Sequence, residues 1–433
     1  MNQKPLRILI DAQMPGDGSR GGVQQFTASL IRALGQLEEG SEEYIVIGPS
    51  RDSDWLRPII GRNQHLVTAP PPPFYSPEHV KRMLGDLRQP LERIYRNLQK
   101  LAQRPILSGQ VPKSTGFHES LGGDLLHFPY QDFVHTKMRT IYNPHDVQHL
   151  HFPEFFTKQE FALRELIWRA GCAYSEAVVT ESVWIKEDIR QRYGLEEKKM
   201  YAILWGSPTE HYEPVTQDIL SETKKKFRLD APFALYPAQT WAHKNHKRLL
   251  DAFALLKKEK GFDLKLVCTG SKNFYWSDIR AHLDQLGLGD RVSFPGFVSS
   301  VELRALYRLA SFMVFPSLFE GGGFPILEAF REGVPVATSS VTSIPEYAGD
   351  AALFFDPNSV ESIASALERM HADAALRADL AKRGSERIKL FSWDRTARAY
   401  RAVYRKVAGQ TLRDEEELLL QSGHIGVNSR ATE

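Results

Sequence analysis

The sequence predicts an α/β protein of two Rossmann-like domains whose parallel sheets face a central cleft. Three observations carry this. The chain has 433 residues, too many for one ordinary core and suited to two domains of roughly 200 residues. Short apolar runs alternate with helical patterns along both halves, the arrangement that builds parallel sheets with crossover helices. In both halves a glycine-rich turn separates such a run from the next helix, where open parallel sheets bind their ligands.

Composition narrows the classes. Lys and Arg number 55 against 53 Asp and Glu, a balance that argues against a nucleic-acid partner. The two cysteines, Cys172 and Cys268, fall in different halves inside apolar runs, so buried free thiols in a reducing compartment are expected. Residues 1–5 lead straight into a strand without the apolar core of a signal peptide, and no stretch reaches the ~18 apolar residues of a membrane span. The expected location is cytoplasmic.

In the first half, residues 7–11 form a strand, and residues 23–34 form a helix with Phe26, Leu30, Ile31 and Leu34 on one face. Between them, Gly16 to Gly21 spells G-x-G-x-x-G. A dinucleotide fingerprint needs its first glycine tight against the strand and an acidic residue after the second strand. Here residues 12–15 intervene, and the second strand, 44–47, runs on to Ser50 and Arg51. A loop ending in Gly21 and Gly22 at a helix N-terminus is the better reading. Ser50 and Arg51 suit a 2′-phosphate, which makes an NADP-dependent oxidoreductase the first alternative. Asp52-Ser53-Asp54 spells a D-x-D metal motif, but it sits in a charged loop beside Arg51; it reads as solvated, and no metal is expected.

Pro70 to Pro73 is a rigid punctuation within an insertion covering about 70–122. Residues 78–104 place Lys81, Arg88, Arg93 and Arg96 around apolar positions at helical spacing. This basic helix suits peripheral contact with anionic headgroups at the inner membrane face or with a lipid-diphosphate acceptor; the alternative is the solvated face of a packed helix. Residues 109–122 read as a mobile loop. Strands follow at 124–128 and 137–142, then the run Asn143-Pro144-His145-Asp146 and the later Phe152-Pro153-Glu154. His145, His149 and His151 invite a zinc reading, but Pro144 and Pro153 bracket the stretch and no cysteine is near. Helix 156–174, strand 177–180, a helix to 193 and strand 200–204 complete the domain. Residues 206–217, with Pro208 and Pro214, read as the linker.

The second half opens with strand 233–237, followed by Gln239 and by Lys244-Asn245 at the start of a helix. Strand 264–270 and a strand and turn over 291–298 come next. Residues 312–315 then form a short apolar strand, followed by Glu320, glycines 321–323, Phe324, Pro325 and a helix that contains Glu328. The glycines let backbone N–H groups approach a ligand, and the helix N-terminus adds unpaired amides and a positive dipole end, which together make an anion site. At ~1.5 Å rise per helical residue the two carboxylates fall on the order of 10 Å apart. They suit the two ends of an extended polar ligand with a negative middle, as in ribose, diphosphate and sugar. The alternative is a pair of capping carboxylates. Strand, turn and strand follow at 333–337, 343–346 and 351–357. Two helices span 360–387, one more ends near 407, and a tail begins near 413.

These motifs together resemble the retaining glycosyltransferases of GT-B family 4, the glycosyl transferases group 1. Their signature is a Glu, seven residues and a second Glu around a glycine turn. The resemblance covers nearly the whole chain and is weakest from 60 to 120. It implies that Glu320 contacts donor-sugar hydroxyls, Glu328 the ribose diol, and the amides of Gly322, Gly323 and Phe324 the diphosphate. Gly322 stands where the family usually has an aromatic residue. His145 would line the cleft near the donor sugar, and Gly22 would face the diphosphate and the acceptor. Lys244 would stand beside the departing diphosphate, with Gln239 where the family usually has an arginine, and main-chain atoms near Val298 would meet the nucleobase. The implied partners are a UDP-, GDP- or ADP-linked sugar and a glycan or lipid-linked acceptor, with no cofactor and no metal. The implied domains are 1–207 and 216–391, with a terminal helix in 392–410 crossing back to the first domain and a tail over 411–433. A nucleotide-sugar epimerase or phosphorylase on the same fold, and a non-catalytic binding protein, complete the alternatives.

Overall fold

Strands buried along nearly their whole length are the mark of parallel sheets covered on both faces, and ten of the thirteen described strands have at most one residue that is not buried. The computed structural model describes residues 4–18, 20–70, 110–258 and 262–421. The chain divides into two compact units, Met1–Gly206 with Ser392–Glu433, and Ser207–Phe391.

The first unit holds a seven-stranded sheet of β1 (Arg7–Asp11), β2 (Glu43–Gly48), β3 (Gln64–Thr68), β4 (Leu125–Phe128), β5 (Arg139–Tyr142), β6 (Ala177–Thr180) and β7 (Met200–Ala202). Their order is β3-β2-β1-β4-β5-β6-β7, and every pair is parallel. Order reverses between β1 and β4, where Ile8 stands opposite both Tyr44 and Leu125. The terminal helix Trp393–Val407 packs in this unit, on the helix Gly22–Gln36. Its Tyr400 hydroxyl accepts from Asn143 Nδ2 at 2.7 Å, and Arg139 reaches back to the Val407 carbonyl at 2.8 Å.

The second unit holds β8 (Phe233–Pro237), β9 (Lys265–Thr269), β10 (Val292–Gly296), β11 (Phe312–Phe315), β12 (Val336–Ser339) and β13 (Ala352–Phe355). They lie in the order β10-β9-β8-β11-β12-β13, again all parallel. Counted within the unit this is 3-2-1-4-5-6, the doubly wound order whose switch point lies between its first and fourth strands.

Several local expectations change. β3 is absent from the sequence reading because Gln64-His65-Leu66-Val67-Thr68 is half polar, and it is an edge strand with only one fully buried residue. Residues 109–122 were expected to form a mobile loop, yet the described part, 110–122, is pinned. Lys113 bridges His135, Phe117–Ser120 forms a helical turn, and the buried His118 sets Nε2 at 3.1 Å from Asp11 Oδ2. The turn expected at 343–346 is the start of a short helix, Ile344–Ala348. Of residues 206–217, read as the linker, 207–217 lie in the second unit, where Arg304 donates to the Tyr212 carbonyl at 3.1 Å and Arg308 to that of Val215 at 3.2 Å. The basic stretch 78–104 lies outside the described residues.

Candidate active site

β8 and β11 lie side by side with Ala234 opposite Phe312 and Leu235 opposite Met313. Ligands of open parallel sheets bind beyond the carboxyl ends of such a pair, and two short segments leave those ends. After β8, a 3-10 turn, Ala242–Lys244, runs into the helix His246–Lys257 through Asn245 at φ 60° and ψ 30°. The Asn245 amide holds this left-handed bend by donating to the carbonyls of Pro316 at 3.0 Å and Pro357 at 2.8 Å. Its Oδ1 accepts from Arg248 at 3.1 Å. The Tyr236 hydroxyl donates to the Lys244 carbonyl, and Leu318 N donates to the His243 carbonyl at 2.8 Å. Lys244 is therefore fixed at its backbone from several directions. Its Nζ lies 2.6 Å from Glu320 Oε1, with the two side chains 17% and 12% exposed.

After β11 the chain reaches Glu320, whose backbone is clamped by the loop that follows β12. Thr342 Oγ1 accepts from Glu320 N at 3.1 Å and donates to Glu320 O at 2.9 Å, and Ser343 Oγ adds a second donor at 2.8 Å. The turn needs glycine at its last position, because a Cβ on Gly323 would stand 2.4 Å from Tyr347 Cγ. The helix Phe324–Arg331 starts there with Pro325 in its first turn, where a missing N–H costs nothing. Glu328 is buried inside this helix and accepts from the Tyr307 hydroxyl at 2.9 Å. Burial pushes its carboxyl up to about 7, the Tyr307 hydrogen bond opposing and the nearby Glu332 adding.

The remaining expected residues fall as follows. In the second unit, the Gln239 Oε1 accepts from Trp241 Nε1 at 2.8 Å. Gly322 and Val298 are half-buried, and Gly323 and Phe324 are buried. In the first unit, Gly22 opens its helix behind Gly21 at φ 54°. His145 is buried at φ 64°. Its ring stands edge-on to Phe26 and Trp205, with centroids 5.4 and 5.6 Å away. Its Nε2 lies 3.0 Å from the Pro129 carbonyl, which can only accept, so Nε2 carries the proton. Nδ1 then faces Glu181 Oε2 at 3.6 Å, a carboxyl raised by burial with His145 opposing. His149 and His151 pair instead with Glu165 and Asp188 at 2.8 and 2.7 Å. Asp54 is exposed and paired with Arg57 at 2.9 Å. No group of metal-ligating side chains forms among the described residues, and no described helix is long and apolar enough to cross a membrane.

Sequence reasoning missed Tyr236, Tyr307, Thr342, Ser343, Tyr347 and Glu181. Tyr236 stands on β8 itself, eight residues before Lys244, and each of the others contacts a candidate residue from another crossover, so no local motif announced them.

Known proteins resemble the chain in sequence and in fold. A family model described as glycosyl transferases group 1 matches residues 219–387, a span that contains Lys244, Glu320 and Glu328. O-antigen chain mannosyltransferase B of Escherichia coli is 28% identical over 284 residues, covering 64% of this chain and 74% of that protein. The serotype-specific mannosyltransferase WbdA of Escherichia coli is 32% identical over 181 residues, which are 41% of this chain and 22% of the much longer WbdA. Sucrose-phosphate synthase of Thermosynechococcus elongatus matches in fold, with a TM-score of 0.66 at 20% identity over 93% of this chain and 99% of that one. The chain is accordingly a nucleotide-sugar-dependent glycosyltransferase of the GT-B fold, related to the family 4 mannosyltransferases.

Proposed function

We propose that the chain moves a hexose or deoxyhexose, mannose first among them, from a nucleoside-diphosphate sugar to a hydroxyl of a glycan or lipid-linked glycan, with retention at the anomeric carbon. The observation that carries this reading is the Lys244–Glu320 pair at the switch point of the six-stranded sheet, 2.6 Å apart beside an open helix N-terminus. Without donor the two charges neutralise each other. A nucleotide sugar would replace that one contact with two charge-assisted ones, its phosphate on Lys244 and its sugar hydroxyls on Glu320. The amides of Gly322, Gly323 and Phe324 suit the diphosphate, Glu328 the ribose, and the main chain near Val298 the base. As the C1–O bond stretches, the departing phosphate gains charge, so Lys244 binds the transition state more tightly than the ground state. Each ~1.4 kcal/mol of that difference is tenfold in rate. The acceptor oxygen bonds C1 on the face the phosphate leaves, and its proton passes to the phosphate oxygen. In the first unit we assign His145 a catalytic role and Gly22 a donor role. Contact of residues 78–104 with an anionic membrane face belongs to the same reading and rests on their composition.

Mannose is favoured by the names of the relatives. The test is transfer from GDP-mannose, UDP-glucose and ADP-glucose to oligosaccharide acceptors after exhaustive chelation, with the product read by proton NMR. The expected product keeps the anomeric configuration of the donor. An inverted product would overturn retention, and a strict need for Mn²⁺ or Mg²⁺ would return Asp52 and Asp54 to the site.

A further inference from the structure

Glu328 is 4% exposed and Tyr307 is fully buried, and their contact joins two helices that flank β11 in sequence, Ser300–Leu309 and Phe324–Arg331. The Tyr307 hydroxyl lies 2.9 Å from Glu328 Oε2 and 3.1 Å from the Pro325 carbonyl. A phenol has one proton and can donate to only one of them at a time. When the carboxylate is ionised, the proton belongs on Oε2. When the carboxyl is protonated it becomes a donor itself, and the phenol proton turns to Pro325. A ribose diol offers two O–H donors, and an ionised carboxylate is acceptor-only, so only the first arrangement leaves Glu328 ready for both.

We propose that Tyr307 is a positioning residue of the donor site: its hydroxyl fixes Glu328 Oε2 and keeps the carboxylate an acceptor for the ribose diol of a nucleoside diphosphate. This rests on the reading of Glu328 as the ribose-binding group. The surroundings make the contact matter. Among the described residues, three titratable groups face Glu328. Tyr307 approaches from the preceding helix, Tyr212 from the segment after the first unit, and Glu332 from the next turn of the same helix. Glu332 is itself paired with Arg304 at 2.6 Å and with Arg308. Burial pushes Glu328 up to about 7, and the hydrogen bond from Tyr307 opposes this. The Tyr307 phenol is held protonated by its own burial and by Glu328. Near neutral pH the hydroxyl therefore decides how much of the carboxylate is available.

The test is calorimetric titration of the full chain with GDP, UDP and ADP and with their 2′-deoxy counterparts, from about pH 5.5 to about pH 9. The preference for the ribonucleotide should rise with pH in the wild type, with a midpoint near 7. In Tyr307→Phe the midpoint should move up by about one unit and ribonucleotide affinity at neutral pH should fall about threefold to tenfold. Binding of the 2′-deoxy nucleotide should hold. Should Tyr307→Phe not fold, 3-fluorotyrosine placed at 307, a stronger donor, should move the midpoint down. An unmoved midpoint in the variant that folds overturns the proposal. Glu328→Gln separates the two readings. If the ribose preference disappears at all pH values, the donor reading stands and Tyr307 is judged by the midpoints. If it survives, Glu328 is not the ribose group, and the assignment of Tyr307 fails with it.

Discussion

Lys244 Nζ and Glu320 Oε1 are 2.6 Å apart, although 76 residues separate them in the chain. Neither reaches the other by local structure. Lys244 ends the turn after β8, Glu320 follows β11, and they meet because those two strands pair in the sheet. Lys244 Nζ also lies 5.6 Å from the Phe315 ring centroid, so the ammonium is held between a carboxylate and an aromatic face and is only partly hydrated.

The two partners should separate kinetically. Lys244→Ala should lower kcat by about 10²- to 10³-fold, the scale of losing one preorganised charge-stabilising group, and should also weaken binding of the free nucleoside diphosphate. Glu320→Gln should depress transfer while nucleoside-diphosphate affinity holds or rises, because Lys244 is released from its partner. Steady-state rates and calorimetry on the two variants read both quantities. Wild-type turnover in Glu320→Gln would remove that residue from the site.

The turn should be intolerant of small changes. Asn245→Ala leaves the carbonyls of Pro316 and Pro357 without their donor, at a cost of about 1–3 kcal/mol for the orphaned groups. Gly323→Ala drives a methyl into Tyr347 and should cost about 1–3 kcal/mol as overpacking. Thermal melts followed by circular dichroism should show both losses. Activity should fall by more than the stability change explains, since each variant shifts Lys244 or the turn amides.

Acid should unfold the first unit through a histidine. The buried His127 donates from Nε2 to Asn143 Oδ1 at 2.6 Å and accepts at Nδ1 from the Tyr404 hydroxyl at 2.9 Å, so it is built in as the neutral ring. Burial lowers it to about 4 from 6.5, the Asn143 contact opposing and the His145 charge adding. The unfolded chain thus binds this proton first. The stability contributed is fully present above about 6.5 and drains away as pH falls toward 4, at about 1.4 kcal/mol per pH unit and roughly 3 kcal/mol in all. Melting temperatures measured down that range should fall in the wild type and fall less steeply in His127→Gln. Equal slopes would place the acid sensitivity elsewhere.

The strands at 7–11 and 312–315 were legible because a doubly covered parallel strand is a continuous apolar run, and the turn at 320–328 because glycine, proline and helix-start signals lie within a few residues of one another. β3 was not, since an edge strand with one buried residue carries no such run. The same division holds in the site. Glu320, Glu328, Lys244 and the glycines stand in local patterns that the chain displays whatever its tertiary neighbours.

The sequence alone therefore determined the class of fold, the two halves and the side chains with a local motif. The tertiary structure alone decided that β8 lies beside β11, and with that the Lys244–Glu320 pair, the clamp of Thr342 and Ser343 on Glu320, and the seat of Tyr307 on Glu328. It also decided that the His145 ring is turned inward to Pro129 and Glu181. The physical reason is one of range. Periodicity, backbone bends and caps act over a few residues, whereas strand order is settled by which apolar faces the whole chain can bury at once.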